Sequence, residues 1–239
     1  MIVSWFSSGV SSAVATKLMI DQIDQIIYIH IDDQHEDTLR FVNECAEWFG
    51  KPIETIQSRY KSVENACLGA GGKGYVNGVG GAPCTNFLKR RLRKEWESEQ
   101  EGDLEYVWGM DCSEKEIKRS EKLINHMPSN KHHFPLIDKG ISKTIAHQML
   151  NASGIKRPYM YDLGYSNNNC VGCVKGGKGY WNHIRTDFPE VFEKRALMER
   201  RIGGTCIKNV YLDELDPEAG RHEKPVVEDC GIFCELMAI

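Results

Sequence analysis

Residues 1–33 read MIVSWFSSGVSSAVATKLMIDQIDQIIYIHIDD, and the way this stretch divides sets the architecture. Met1 to Phe6 is a short apolar run that ends in serines, which predicts a buried strand. Ser12 to Ile20 carries Val14 and Leu18 at helical spacing and predicts a helix. The segment 25–33, QIIYIHIDD, predicts a second strand ending in Asp32 and Asp33. Strand, helix and strand in so short a span form a crossover unit, whose strands run parallel.

The alternation continues downstream. The segment 36–50, EDTLRFVNECAEWFG, has helical period with Gly50 as its stop, and 51–57, KPIETIQ, predicts a third strand. Helices are expected in CTNFLKRRLRKEWESE (84–99), in DCSEKEIKRSEKLI (111–124) with Ser113 as its cap, in ISKTIAHQMLNASGI (141–155) and in DFPEVFEKRALMERRI (187–202). LEYVWGM (104–110) predicts another buried strand. The fold class is therefore α/β, a parallel twisted sheet with flanking helices and a turn-rich, cysteine-containing C-terminal part. We expect residues 1–180 to form the main domain and 181–239 a helical extension with a cysteine-containing tail. Segment 68–81, LGAGGKGYVNGVGG, is too rich in glycine for a helix or a buried strand and predicts a mobile loop or lid.

With 239 residues, 41% of them hydrophobic and 27% charged, the chain can bury a full core. A net charge of −4 excludes a broadly basic nucleic-acid surface but not a local basic patch. No apolar run approaches the roughly 20 residues that span a bilayer, and no leader pattern precedes the first strand, so a cytoplasmic protein without a membrane partner is expected. Nine cysteines in such a chain point to metal ligation or redox chemistry rather than to disulfides. Cys45, on the apolar face of its helix, is expected to be a small core residue.

Four groups of residues carry chemistry. Ser7, Ser8, Gly9, Ser11 and Ser12 form a small, hydroxyl-rich turn into a helix, where backbone N–H groups and the helix dipole favour a phosphate. Lys89, Arg90, Arg91, Arg93 and Lys94 crowd one helix, either as a solvated face or as a grip on a nucleotide or nucleic-acid phosphate. Arg119 lies on the helix after Ser113. Cys170 and Cys173 form a C-x2-C pair in a turn, a spacing that lets two thiolates converge on one metal.

The segment FSSGVSS resembles the S-G-G-x-D-S loop of the adenine nucleotide alpha-hydrolase (pyrophosphatase-loop) superfamily, with Ser7, Gly9 and Ser12 coinciding. Ser8 stands for a glycine. Ser11 stands for an aspartate that organises magnesium and pyrophosphate in relatives that cleave ATP, which argues against ATP cleavage. Three further segments resemble the phosphoadenosine phosphosulfate reductase family: IHIDDQHEDTLRFVNECAEWFG, HFPLIDKGISKTIAHQML and PYMYDLGYSNNNCVGC. The resemblance implies an adenine nucleotide (phosphoadenylyl sulfate, adenylyl sulfate or ATP) bound by Ser7, Ser8, Gly9, Ser11, Ser12, Asp32, Lys89, Arg90 and Arg119. CTNFLK resembles the C-C-x-x-R-K element that supplies cluster ligands in the adenylylsulfate-reducing branch, with Thr85 in place of the second cysteine. It implies Cys84, Cys170 and Cys173 as ligands of a four-iron, four-sulfur cluster, with zinc as the alternative metal; the fourth position is either closed by Cys112, Cys206 or a tail cysteine, or left open to a sulfide or substrate.

EDCGIFCEL (228–236) resembles the E-C-G-x-H end of sulfonucleotide reductases and implies Cys230 as the nucleophile, with a thioredoxin-like reductant. Phe233 stands where the histidine would be. Three functions stay open: thiol-dependent reduction of activated sulfate to sulfite, ATP-dependent thiolation of tRNA or DNA by an iron–sulfur sulfurtransferase, and a non-catalytic nucleotide-binding accessory of a phage or defence system. A homo-oligomer is compatible with each.

Overall fold

The computed structural model describes residues 1–78, 81–221 and 226. Its centre is a five-stranded, all-parallel sheet in the order β3-β2-β1-β4-β5. In chain order the elements are β1 (Ile2–Phe6), α1 (Val10–Leu18), β2 (Gln25–His30), α2 (Asp37–Phe49), β3 (Ile53–Gln57) and α3 (Val63–Leu68). A π-helical segment, Thr85–Arg90, runs directly into α4 (Arg91–Ser98), followed by β4 (Glu105–Val107), α5 (Glu114–His126), β5 (Lys131–His133) and α6 (Pro135–Asp138). The last elements are α7 (Lys143–Ala152), α8 (Tyr159–Asp162), α9 (Lys178–Asp187), α10 (Pro189–Ile202) and a 3-10 turn, Leu212–Glu214.

Strand β1 is buried from Val3 to Phe6, as a central parallel strand covered on both faces must be. Its side chains alternate. Phe6 packs with Ile26, Tyr28 and the apolar faces of α1, α2 and α7. Val3 and Trp5 face the opposite layer with Ile27, Trp96 and Tyr106. Gly50 ends α2 in the left-handed conformation (φ 67°), where glycine carries no Cβ penalty. Cys45 is fully buried, the core position its spacing predicts.

A third apolar cluster lies past the carboxyl end of β2. Ile31, Val63, Leu88 and Val174 meet Trp181 and Ile184 of α9 and Phe192 and Met198 of α10 there. Helix α9 is a correction to the sequence reading, which took the chain as turn-rich up to the helix at 187–202. The described part of the glycine-rich segment also differs from a lid. Val76 is 1% exposed in this third cluster, and the Tyr75 N–H donates to the Cys67 carbonyl at 2.9 Å. Gly74, at φ 85°, brings its backbone so close to Ile202 that an added Cβ would stand 3.0 Å from Cγ1. Ser113 precedes α5 as expected, but its side chain makes no capping bond. Among the described residues, no helix is long and apolar enough to cross a membrane.

Candidate functional site

The strand order reverses direction at β1, which has β2 on one side and β4 on the other. In open parallel sheets, ligands bind outside the carboxyl ends of the strands near such a reversal. A cavity of about 680 Å³ opens on that side. Ile31, just after β2, Val63 at the start of α3 and Arg119 on α5 all contribute to its wall.

Cys84, Cys170 and Cys173, far apart in sequence, share this cavity. Each is half-buried. Tyr180 staples the C-x2-C turn: its hydroxyl accepts from the Cys173 N–H at 2.8 Å and donates to the Cys170 carbonyl at 3.1 Å. Gly176 makes room for that ring, since a Cβ would stand 2.0 Å from Tyr180 Cδ1. Burial raises the Cys170 thiol to about 12, with Lys89 opposing and Cys173, Asp33 and Cys84 adding to the rise. Burial and then Cys173 raise Cys84, while Lys175 and Lys89 pull it down. A cation among these thiols would relieve the repulsion between their ionised forms.

The donor chemistry therefore suits a thiophilic metal. Among the described residues, no three His, Cys, Asp or Glu side chains are gathered as a group that could hold an ion. Of the other proposed ligands, Cys206 lies buried beside Glu199 and Cys67 and is not on the cavity wall. Cys112 is half-buried and also off the wall.

Of the residues expected to bind nucleotide, Lys89 and Arg119 join the cysteines on the wall, with the Arg119 guanidinium 3.0 Å from Glu116. Arg90 is exposed and outside it. Asp32 is exposed as well and accepts a 2.7 Å bond from Gln57. Its neighbour Asp33 is structural: it accepts from the Val63 N–H at 2.6 Å and is ion-paired with Arg195.

Ser7, Ser8, Gly9, Ser11 and Ser12 do not line the cavity. Local contacts brace their turn. The Ser7 N–H donates to Ser12 Oγ at 3.0 Å, and Ser8, fully buried at φ 57°, donates its hydroxyl to the Ser7 carbonyl at 2.6 Å. The Tyr161 hydroxyl crowds Gly9, where a Cβ would stand 3.4 Å from it, and Asn168 Nδ2 donates to the Ser8 carbonyl at 2.8 Å. Gly109, after β4, presses on Ser12 so closely that a Cβ would lie 2.6 Å from the Ser12 nitrogen. Cys230 and Cys234 lie outside the described residues.

The sequence reading did not single out Lys175, Gly177 or His183, all on the cavity wall. Lys175 and Gly177 carried a legible signal, a K-G-G-K-G run opening a helix. His183 had none, because its place depends on α9. Its Nε2 lies 3.0 Å from Asp187, and its ring stacks on Tyr165 at 4.3 Å. Neither a family model nor a curated protein matches this chain.

Proposed function

We propose that this chain is an adenine-nucleotide-binding sulfur enzyme of the sulfonucleotide-reductase type, which uses thiols to reduce adenylyl or phosphoadenylyl sulfate to sulfite. One observation carries the reading: Cys84, Cys170 and Cys173 share a cavity with Lys89, Arg119 and Lys175 at the carboxyl ends of a parallel sheet. Thiols and cations on one wall suit a substrate that is both anionic and electrophilic at sulfur.

In this reaction the Cys230 thiolate attacks the sulfate sulfur. An S–S bond forms, the S–O bond to the nucleotide phosphate breaks, and the nucleotide leaves with that oxygen and its electron pair. Lys89 and Arg119 would meet the departing negative charge. One thiol of a thioredoxin-like dithiol then attacks Sγ of Cys230 and releases sulfite. The reductant's second thiol resolves the mixed disulfide, leaving Cys230 reduced and the partner oxidised. Cys84, Cys170 and Cys173 would hold a four-iron, four-sulfur cluster or zinc, which supplies positive charge beside the anion when bound.

The test is sulfite release from each sulfonucleotide with a dithiol reductant, using anaerobically purified protein with its iron, sulfide and zinc content measured. Turnover that disappears in Cys230→Ser supports the reading. Absence of sulfite from both substrates, or full activity in Cys230→Ser, refutes it. A second reading, thiolation of tRNA or DNA, draws on the exposed Arg90, Arg91 and Lys94 beside the cavity. It requires salt-sensitive binding of nucleic acid, and no binding at low salt rejects it.

A further inference from the structure

The residues that resemble a phosphate loop are not those the cavity offers to an anion. Ser7 gives its N–H to Ser12 Oγ, the Tyr161 hydroxyl crowds Gly9, Gly109 covers the Ser12 nitrogen, and no residue from 7 to 12 reaches the cavity wall. On that wall stand Lys89 and Lys175, neither paired with a carboxylate among the described residues. Between Lys175 and α9 the chain turns through Gly176 and Gly177. Gly177 faces open space, with nothing within 4 Å of where its Cβ would be. Among the described residues, the N–H groups of Gly177 and Lys178 donate to no protein acceptor. Gly179, by contrast, is covered by the backbone of Gly220 and Arg221.

We propose that Lys89, Lys175 and the Gly176–Lys178 turn form the oxyanion subsite of this cavity, taking the phosphate or phosphosulfate end of the ligand in place of the Ser7–Ser12 turn. Two cations, from the π-helical segment and the turn before α9, share a cavity of about 680 Å³, within the size range of small-molecule sites. The missing Cβ at Gly177 lets an oxyanion approach backbone N–H groups that a side chain would shield. The adjacent positive end of α9 adds to the attraction. The nucleotide identity of the ligand rests on the function proposed above; the anion subsite does not.

Inorganic pyrophosphate is the direct probe, titrated calorimetrically into the full chain alongside adenosine 3′,5′-bisphosphate. Pyrophosphate is expected to bind the wild type and to shift the Gly177 amide in protein labelled with 15N-glycine. Gly177→Val adds bulk only to open space, and Lys175→Gln removes one charge. Each is expected to weaken pyrophosphate at least tenfold, with an unchanged melting temperature as the folding control. Should Gly177→Val not fold, Lys175→Gln and Lys89→Gln carry the same test. The assignment is overturned if wild type ignores pyrophosphate, if both lysine variants bind it as wild type does, or if Ser11→Ala alone abolishes it. Pyrophosphate binding without adenosine 3′,5′-bisphosphate binding would sink the nucleotide reading and leave the subsite standing.

Discussion

The guanidinium of Arg195, 1% exposed on α10, is ion-paired with the carboxylate of Asp33, just past the end of β2. Asp33 also accepts from the Val63 N–H, its carbonyl accepts from the Val171 N–H at 2.8 Å, and Arg195 donates to the Gly172 carbonyl at 3.2 Å. The Asp33 main chain and carboxylate thus join the C-x2-C turn, α3 and α10, and it is the carboxylate that neutralises Arg195. Removing it would strand a buried positive charge, which typically costs about 3–5 kcal/mol. Asp33→Ala is therefore expected to lower urea-measured stability by that order and to loosen the 170–173 turn. A loss below about 1 kcal/mol would show that the pair does not hold the two regions together.

His147, on α7, is fully buried edge-on against Tyr161 at 4.6 Å, and neither ring nitrogen has a hydrogen-bond partner among the described residues. Burial, aided by Arg157 and Lys143, depresses its pKa from 6.5 to about 3. The unfolded chain therefore binds this proton first as the pH falls. Stability should decline between pH 6.5 and about 3 by up to about 1.4 kcal/mol per pH unit from this group. Denaturation of His147→Leu across that range should show a flatter pH dependence, with no loss of stability at pH 7. An unchanged slope would mean that other groups set the acid limit.

Gly109 sits where a Cβ would stand 2.4 Å from the Ser12 Cα. Both neighbours are backbone, so neither can swing away. Gly109→Ala should cost about 1–3 kcal/mol by overpacking, read as a fall in melting temperature, and hydrogen exchange in α1 should speed up with it. A variant as stable as wild type would mean that α1 and the loop after β4 are less tightly apposed.

Thiol reactivity should sort by burial. Cys45, Cys67 and Cys206 are buried and their thiols are pushed up by desolvation, Cys67 to about 12. Cys84, Cys112, Cys170 and Cys173 are half-buried. Peptide mapping after brief alkylation at neutral pH should find the first three unmodified until denaturant is added. Early labelling of Cys67 or Cys206 would show that the third cluster opens readily.

Much of the fold was written locally. The apolar run at Ile2–Phe6, the spacing across Asp37–Phe49 and the stop at Gly50 each dictate an element through short-range chemistry, and their alternation requires a parallel sheet. That Cys84 lines the same cavity as Cys170 and Cys173 was legible only through resemblance. The sequence also suggested that the Ser7–Ser12 turn was free to hold a phosphate. It could not reveal that Tyr161 and Gly109, more than ninety residues away, crowd Gly9 and Ser12 of that turn. Nor could it separate Asp32 from Asp33: both follow β2, but only Asp33 meets Arg195. Those outcomes depend on which distant groups compete for the same N–H or carboxylate, and that competition exists only once the chain has folded.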